Sequence, residues 1–309
     1  MCAQFGPTNV GIMARVCVVG SVNMDLTFDV DALPQPGETV LASSLTSAPG
    51  GKGANQAVAA ARAGAHVQFV GALGDDAAAA RLRAHLRANG VGLDGMVTVP
   101  GPSGTAAIVV DANAENTIVV APGANGRLTL AGAQAREVIA GCDVLLTQLE
   151  IPVPTAVAAA HHARSAGAAV IVNASPVGRL DGGLVELAAA ADVVIANEAE
   201  AERWPWRSTH LVVTLGARGV RYNGADGEFD VPAPAVKALD TAGAGDVFAG
   251  VLAANWPRDP CANPASRAER LTALRRACAA GALATLVPGA GDCAPRADAI
   301  DAALREVFR

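Results

Sequence analysis

The chain has 309 residues, of which 51% are hydrophobic and only 3% aromatic, and its formal net charge at pH 7 is −6. This length accommodates one large domain or two ordinary ones, with a sizeable core built mainly from Ala, Val and Leu. The negative charge argues against a broad basic surface of the kind that binds nucleic acid, and no apolar run reaches the ~18 residues of a membrane span.

The N-terminal stretch "MCAQFGPTNVGIMAR" lacks the apolar core of a secretory signal, and Met13 is an alternative start to Met1. The cysteines show no metal-type pair spacing, and several of them lie in apolar runs. The sequence therefore predicts buried, free thiols and a cytoplasmic location. The six cysteines are Cys2, Cys17, Cys142, Cys261, Cys278 and Cys293.

The N-terminal part of the chain predicts strands and helices in alternation. A buried strand is expected at residues 15 to 20 and a half-exposed strand at about 24 to 30, followed by the two-proline turn "LPQPGETV". "ANQAVAAARAGA" predicts a helix, "VQFVGALG" a strand, and "DDAAAARLRAHLRANG" a helix that Gly90 ends. "GTAAIVVDANAENTIVVAPGAN" predicts a hairpin, because two alternating strands flank a polar turn.

After residue 125 the pattern becomes strand, helix, strand. "DVLLTQLE", "AAVIVNAS", "DVVIANE" and "HLVVTLG" predict strands, "TAVAAAHHARSAG" and "GLVELAAAA" predict helices, and the chain from 243 onward is mostly helical. Apolar strands that alternate with helices indicate a parallel sheet covered on both faces. The half-polar early strands do not fit such a sheet and predict a small lid. We expect one α/β domain over residues 1–309, with lid strands inserted at about 24–48 and 101–123.

The stretch "DTAGAGDVFAG" (240–250) places glycines where a helix should begin. The amides of Gly243, Ala244, Gly245 and Asp246 can point the same way there, and free amides at the positive end of a helix form an anion site. A carboxylate beside a transferring phosphoryl group is well placed to accept a proton from an attacking hydroxyl. The alternative is that Asp246 only caps the helix. The stretch is neither a P-loop nor a Rossmann fingerprint.

Two further segments carry groups suited to a polyol. In "APGGKGANQA" (48–57) a glycine turn opens a helix, and Lys52 and Asn55 offer donors to hydroxyls; a plain loop-to-helix junction is the alternative. In "GSVNMD" Asn23 and Asp25 share one face of an extended segment beyond the first strand, where ligands of parallel sheets bind. The alternative for these two residues is a turn with solvated polar groups.

Three other strand ends carry polar groups. "TQLE" presents Gln148 and Glu150, and "ANEAEAE" presents Asn197 and Glu200, three residues apart on one helix face. An amide and a carboxylate there can orient waters on Mg²⁺, although acidic residues in a first helical turn are also ordinary. "TLGARG" (214–219) suits a nucleotide edge or a phosphate.

These motifs, in this order from about residue 15 to the C-terminus, resemble those of the ribokinase-like (PfkB) sugar kinases. "DTAGAGDVFAG" resembles the carboxyl-terminal signature of the family, and "GGKGANQA" is typical of its ribokinase branch. The resemblance implies a three-layer α/β/α sandwich with a mostly parallel central sheet and a small β lid that also makes a dimer contact. It implies transfer of the γ-phosphate of ATP to the 5-hydroxyl of ribose. The other motifs that match are "GSVNMD", "PQPGETV", "GDD", "TQLE", "NEAEAE" and "TLGARGV".

The resemblance also implies roles for single residues. It makes Asp246 the catalytic base and the turn of Gly243, Ala244 and Gly245 the anion hole. The sugar-contacting positions are Asn23, Asp25, Gly51, Lys52, Asn55, Glu150 and Asp246 itself. The positions linked to ATP are Asn197, Thr214, Gly216, Ala217, Gly219, Gly245 and Cys278, and those linked to Mg²⁺ through water are Asn197 and Glu200. A monovalent cation, usually potassium, would be held at Asp240, Ala242, Ala284, Val287, Gly289 and Cys293.

The chain departs from the family pattern in three places. Cys293 stands where a serine oxygen is expected, which puts one cation ligand in doubt. Cys278 occupies a position near the adenine that is often polar. The segment from Arg203 to His210 is short, and residues 197–210 barely supply the dozen residues that a parallel crossover needs.

Other functions stay open on the sequence. A kinase of the same family could act on a nucleoside, fructose or a deoxyribose, although the small residues Ala106 and Ala107 beside Ile108 favour a free pentose. A non-catalytic sugar- or nucleotide-binding regulator could use the same scaffold, against which the retained Asp246 weighs. A dinucleotide-dependent oxidoreductase is the remaining alternative, and the missing fingerprint argues against it.

Overall fold

The structure is a computed structural model that describes residues 13–113, 115–178, 182–224, 227–257 and 264–307. Met1, Cys2 and Cys261, on which expectations were stated above, lie outside the described residues. The strands, in chain order, are β1 (Arg15–Val19), β2 (Asn23–Asp29), β3 (Ser44–Gly50), β4 (His66–Val70), β5 (Ala72–Leu73), β6 (Val97–Thr98), β7 (Gly104–Val110), β8 (Asn116–Ala121), β9 (Val144–Thr147), β10 (Ala169–Asn173), β11 (Val193–Asn197), β12 (His210–Thr214), β13 (Val220–Gly224) and β14 (Gly227–Val231).

The helices begin and end largely where the sequence predicts. The side chain of Asp76 caps α2 by accepting from the amide of Ala79 at 3.1 Å, and Gly90, with φ of +77°, follows the end of that helix. The helices are α1 (Lys52–Arg62), α2 (Ala77–Ala88), α3 (Ala133–Ala140), α4 (Val153–Ser165), α5 (Gly182–Ala190), α6 (Glu198–Glu202), α7 (Ala244–Asn255), α8 (Pro264–Ala284) and α9 (Ala297–Val307).

The main sheet confirms the predicted parallel architecture. Its strand order over the described residues is β14-β13-β12-β11-β10-β9-β1-β4, and the pairs from β4 to β12 are parallel. The hairpin of β13 and β14 extends one edge in antiparallel fashion and was not predicted. The central residues of the parallel strands are mostly apolar and buried because helices cover both faces of the sheet.

Two hydrophobic cores flank this sheet. Val16 and Val18 of β1 face the core that α1, α2, α7, α8 and α9 cover, whereas Cys17 and Val19 face the core that α3, α4 and α5 cover. This alternation follows from the two-residue period of a strand. The expected three-layer α/β/α arrangement is therefore confirmed. The described cysteines Cys17, Cys142, Cys278 and Cys293 are buried, free thiols, as predicted.

A separate small sheet corresponds to the predicted lid strands. Its order is β3-β2-β7-β8, with β2 and β7 parallel and the outer pairs antiparallel. The hairpin predicted over residues 104–125 is confirmed as β7 and β8. Every residue of β8 is exposed, Val119 by 66% and Ile118 by 54%. This edge strand thus presents an apolar strip and unpaired backbone groups to solvent.

The crossover between β11 and β12 is as short as the sequence implies. It contains only the five-residue helix α6, and the two strands nevertheless pair in parallel, from Val193 beside His210 to Asn197 beside Thr214. Trp204 and Trp206 fill the space after α6, with their rings edge to face at 4.8 Å.

None of the helices in the described residues is both long enough and apolar enough to span a membrane.

Candidate active site

The loops that follow β1 and β9 meet the first turn of α1. These strands are parallel neighbours, so their carboxyl ends lie at the same edge of the sheet. The Ser21 hydroxyl donates to Oε2 of Glu150 at 2.6 Å, and the Lys52 amide donates to the same oxygen at 3.3 Å. These bonds fix the carboxylate of Glu150. Ser21 was not singled out from the sequence, where its only signal is its place within "GSVNMD".

The glycine turn before α1 packs closely against the backbone of the β1–β2 loop. Gly51 has φ of +92°, and a Cβ on it would lie 2.7 Å from the backbone nitrogen of Asn23. A Cβ on Gly53 would lie 2.7 Å from the nitrogen and the oxygen of Ser21. Glycine is therefore needed at both positions for α1 to start against the β1–β2 loop. This contact brings Lys52 and Asn55 to the same place as Asn23 and Asp25.

Asp246 lies in the first turn of α7 and is 8% exposed. The Nδ2 of Asn55 donates to its Oδ2 at 3.2 Å, and the Nε2 of Gln56 donates to its Oδ1 at 2.9 Å. Both donors come from α1, which packs along α7. Asn55 was predicted to hold a sugar hydroxyl, and in the ligand-free chain its amide holds the carboxylate. The sequence did not single out Gln56, because within "GANQAVAAAR" a glutamine is an ordinary helical residue.

The N-terminus of α7 carries unpaired amides beside that carboxylate. The amides of Gly245 and Asp246 donate to no acceptor among the described residues, whereas the amide of Ala244 donates to the Thr241 carbonyl at 3.3 Å. A Cβ built on Gly245 would meet nothing within 4 Å. Gly243, with φ of +76°, turns the chain into the helix. Free amides, a helix dipole and open space together suit an anion.

Asp25 is the second carboxylate of the site. Burial, together with the nearby carboxylates of Glu150 and Asp246, raises the pKa of Asp25 to about 7. Its Oδ1 is buried and has no hydrogen-bond partner in the described part of the chain. A side chain on Gly50 would overlap Oδ2 of Asp25, so glycine is needed there. An unpartnered acceptor in a polar site is suited to a donor that arrives with a ligand.

Asn23 is oriented by a residue that the sequence did not reveal. The Nδ2 of Asn125 donates to Oδ1 of Asn23 at 2.7 Å, and Oδ1 of Asn125 accepts from the amide of Val22 at 3.1 Å. Asn125 lies in the 3₁₀ turn Gly123–Arg127 that follows the lid hairpin. Since the oxygen of the Asn23 amide is taken, its NH₂ group is the part left for a ligand.

Lys52 brings positive charge into this group of acids. Its burial lowers the pKa of the ammonium, but the carboxylates of Asp246, Glu150 and Glu200 outweigh that effect, and the pKa of Lys52 is raised. The ammonium therefore stays protonated at neutral pH. Glu200, in the first turn of α6, is thus close enough to Lys52 to influence its pKa.

Asn197 and Glu200 form a capping box around the start of α6. Oδ1 of Asn197 accepts from the Glu200 amide at 2.8 Å, and Oε2 of Glu200 accepts from the Asn197 amide at 2.9 Å. The NH₂ group of Asn197 and Oε1 of Glu200 are not used by this box. Among the described residues, no three His, Cys, Asp or Glu side chains cluster as a metal site.

The predicted nucleotide positions lie around the β12–β13 turn. Gly216 and Gly219 have φ of +59° and +94°, and Arg218 between them pairs with Glu198 of α6 at 2.6 Å. A Cβ on Gly219 would overlap the Val231 carbonyl, so this turn packs closely on the segment after β14. Thr214 donates to the Ala196 carbonyl at 3.4 Å, which ties the end of β12 to β11. Ala217 lies within the same turn.

Cys278 lies in the core rather than in an open cleft. It is 4% exposed on α8, and its Sγ lies 3.8 Å from the Val231 carbonyl. Burial raises the pKa of this thiol to about 12. The structure thus brings Cys278 and Gly219 to the same Val231 carbonyl, but it does not group Cys278 with the acids around Asp246.

The predicted cation positions form a second loop cluster beside Asp246. The carboxylate of Asp240 accepts from the amides of Ala242 and Gly289 at 2.8 and 2.7 Å. The Cys293 thiol donates to the Ala290 carbonyl at 3.4 Å and contacts the Ala242 carbonyl at 3.8 Å. Burial raises its pKa to about 11, so the sulfur is a neutral thiol.

The remaining cation positions belong to the same loop. The Ala284 carbonyl accepts from the Val287 amide at 3.2 Å. The loop is held from outside by Arg62 of α1, whose guanidinium donates to the backbone carbonyls of Asp292 and Ala294 at 2.8 and 2.9 Å.

Comparison with known proteins matches these features to one family. A family model described as "pfkB family carbohydrate kinase" matches residues 13–297. A ribokinase of Bacillus subtilis (strain 168) is 40% identical over 253 residues, which cover 78% of this chain and 85% of that protein. A deoxyribokinase of Salmonella typhi is 34% identical over 260 residues, which cover 77% and 84%.

Solved structures share the fold over nearly the whole chain. A structure described as Arabidopsis thaliana ribokinase complexed with ribose and ATP superposes with a TM-score of 0.84 at 27% identity. The superposition covers 95% of this chain and 99% of that chain.

Proposed function

This chain belongs to the pfkB family of carbohydrate kinases, and we propose that it is an ATP-dependent ribokinase that phosphorylates the 5-hydroxyl of ribose. The proposal is supported by the relatives, one of which is a ribokinase at 40% identity, while the structural neighbour was solved with ribose and ATP. The observation that carries it within this chain is the position of the buried Asp246 in the first turn of α7, where two amides have no acceptor among the described residues.

Asp246 acts as the general base in this proposal. Its carboxylate keeps acceptor capacity beyond the two amides that hold it, because an ionised carboxylate offers about four lone-pair sites. It takes the proton of the 5-hydroxyl as the oxygen attacks the γ-phosphorus. The amides of Gly245 and Asp246 then stabilise the charge that gathers on the transferring group. Gly243 and Ala244 shape the turn that exposes them.

A second group of residues, beside Asp246, holds the sugar. Asp25 offers an unpartnered oxygen to a hydroxyl donor, and Asn23 offers the NH₂ group that Asn125 leaves free. The backbone turn at Gly51 and the carboxylate of Glu150 complete the set of predicted contacts. The lid strands β2 and β7 cover this place, so that water is kept from the transferring group.

Lys52 and Mg²⁺ offset the charge of the phosphates. Lys52 is a partly buried ammonium among carboxylates, and a phosphate that approaches it gains a charge-assisted ionic contact. The free groups of Asn197 and Glu200 fit Mg²⁺ through its water shell, because oxygen donors and retained waters are what that ion prefers. Bound there, Mg²⁺ would neutralise charge on the ATP phosphates. The β12–β13 turn would border the nucleotide, with Cys278 buried behind the Val231 carbonyl on which that turn packs.

A monovalent cation fits the loop cluster of Asp240 in part. One carboxylate and the backbone carbonyls of Ala242 and Gly289 are hard oxygen donors of the kind that potassium takes. The thiol of Cys293 is a soft, neutral group that contacts the Ala242 carbonyl and donates to the neighbouring Ala290 carbonyl. The cation would add positive charge near the turn at Gly243, and we expect its affinity to be limited by the sulfur.

We also propose a homodimer that forms through the lid in the cytoplasm. β8 is an edge strand, and a second copy of the chain can cover the apolar strip that it presents. The free, buried thiols are those of a protein in a reducing compartment.

The test is ADP release by the purified chain with ATP, Mg²⁺ and ribose, measured with and without potassium. We expect ribose-dependent ADP release that potassium increases. A panel with 2-deoxyribose, fructose and adenosine identifies the preferred substrate, and the deoxyribokinase at 34% identity makes 2-deoxyribose the main competitor. Tight ribose binding without ADP release would favour a non-catalytic sugar-binding protein instead.

A further inference from the structure

Gln56 and Gln148 form a buried chain of amides that ends on Asp246. The Nε2 of Gln148 donates to Oε1 of Gln56 at 2.7 Å, and the Nε2 of Gln56 donates to Oδ1 of Asp246 at 2.9 Å. Both glutamines are fully buried. The three residues come from the end of β9, from α1 and from α7, so the chain crosses three separate elements.

The carboxylate of Asp246 sets which way the amides of Gln56 and Gln148 point. An ionised carboxylate only accepts, so Gln56 must turn its NH₂ group toward Asp246. Its oxygen then faces Gln148, which must in turn present its own NH₂ group. Gln148 thus decides which end of the Gln56 amide faces the base, although it does not touch the base itself.

At the far end of this hydrogen-bonded series, the side-chain oxygen of Gln148 has no donor. Oε1 of Gln148 is buried and has no hydrogen-bond partner in the described part of the chain. Gly20 packs against this oxygen, and a side chain on Gly20 would overlap it. A buried acceptor without a partner lowers stability, so a leucine or methionine would serve the core better than this glutamine. Its presence is explained if its donor group is what the site needs.

We propose that Gln148 and Gln56 are positioning residues that hold Oδ1 of Asp246 and so leave Oδ2 to take the proton of the sugar hydroxyl. This inference rests on the proposed kinase function and extends it. Without the donor from Gln148, the Gln56 amide is free to turn, and its oxygen then faces the carboxylate and displaces it. A base that is misplaced by a fraction of an ångström loses turnover while the sugar still binds.

The test compares Gln56→Met and Gln148→Met, which keep the side-chain length but remove the amide. We expect kcat to fall about 10- to 100-fold for each, with KM for ribose and the calorimetric Kd for ribose within about twofold of the wild-type values. Gln68→Met is the matched control, because Gln68 also donates to an aspartate, Asp94, at 2.9 Å but lies on β4, outside the proposed site. It should keep the wild-type kcat.

The same substitution in a second variant, Asp246→Asn, distinguishes a positioning role of Gln148 from a role in stabilising the fold. In Asp246→Asn the base is absent, so Gln148→Met should add no further loss to the residual turnover. An equal loss in both backgrounds, or an unchanged kcat for both glutamine variants, would overturn the proposal. So would a failure of both variants to fold, because the amides would then serve stability.

The wild-type chain separates this inference from the proposed function. Its turnover with ribose tests the function, whereas the ratio of variant to wild-type turnover, with whichever sugar is used best, tests the two glutamines.

Discussion

Asn55 donates its side-chain amide to Oδ2 of Asp246 across 3.2 Å, so the proposed base is held by a residue that was expected to hold the substrate. A sugar hydroxyl that approaches Oδ2 competes with this bond, and the Asn55 amide is then released to the sugar. We therefore expect Asn55 to change partners between the free and the sugar-bound chain.

Replacing Asp246 by Asn removes the proton acceptor but keeps the shape of the side chain. Turnover should fall by about 10³-fold or more, while ribose still binds, because the other proposed sugar contacts, among them Asn23, Asp25 and Glu150, are unchanged. Coupled ADP release and calorimetry measure the two quantities. Asp94→Asn is the control, since Asp94 is exposed and accepts a bond from a glutamine outside the site. Near-wild-type turnover for Asp246→Asn would exclude it as the base.

Asp25 should make the stability of the fold depend on pH. Its pKa is about 7 in the folded chain, against a value of 3.8 in the absence of the fold. The folded state thus binds more protons between these values, and stability falls as the pH rises from about 4 to 7. Asp25→Asn should remove this loss. It should be more stable than the wild type at pH 8, by at most about 4 kcal/mol, and equally stable at pH 4.

Urea unfolding at the two pH values checks this expectation. Asp31→Asn is the control, because Asp31 is an exposed aspartate two residues after the end of the strand that carries Asp25. A difference between Asp25→Asn and the wild type that is the same at pH 4 and pH 8 would show that the carboxyl does not titrate in this range.

The main sheet could be predicted because its strands are buried on both faces and stand out as apolar runs. The hairpin of β13 and β14 was missed for the opposite reason. At the sheet edge it buries only alternate residues such as Val220 and Tyr222, and its exposed positions are polar or glycine. Helix α3 was also missed, because within its eight residues only Ala135 and Ile139 are buried.

Within the site, the sequence revealed the groups that we propose to contact the ligands, but not the residues that hold those groups in place. Asp246, Asp25 and Lys52 stand out, because a charged side chain beside a glycine turn or a strand end is seldom needed for folding alone. Gln56, Ser21 and Asn125 do not, because a helical glutamine or a polar loop residue is ordinary. Their roles depend on partners that are as many as 190 residues away, such as Asp246 for Gln56.

The two glycines at the start of α7 should respond differently to alanine. Gly243→Ala forces a side chain into positive φ and within 2.7 Å of the Ala290 Cα, so the free energy of unfolding should fall by about 1–3 kcal/mol. Gly245→Ala meets no atom and lies in a helix, so stability should rise by up to ~1 kcal/mol.

The turnover of Gly245→Ala should nevertheless fall about tenfold or more, because its methyl group occupies the open space beside the free amides. Urea unfolding and ADP release measure the pair. A stable Gly245→Ala variant with full turnover would show that the phosphoryl group does not pass this turn.

The apolar strip on the lid predicts an effect of charge on assembly. Val119→Glu should convert a dimer into a monomer, because Val119 is 66% exposed on the edge strand β8. Val185→Glu is the control, as Val185 is a 49% exposed valine on α5, away from the lid. Sedimentation equilibrium distinguishes the two. If Val119→Glu keeps the mass of the wild type, the lid is not the contact between copies.

Cys293 should set how strongly potassium acts on the enzyme. Its thiol is neutral and soft, whereas a serine hydroxyl would present a hard oxygen to the loop that Asp240 closes. Cys293→Ser should therefore lower the potassium concentration for half-maximal activation, by roughly 3- to 10-fold. Cys142→Ser is the matched control, because burial raises the pKa of Cys142 to about 11 as well, yet that thiol packs in the core beneath α3 and α4. An unchanged potassium dependence in Cys293→Ser would place the cation elsewhere, since a ligand atom cannot change from sulfur to oxygen without changing the affinity of a hard ion.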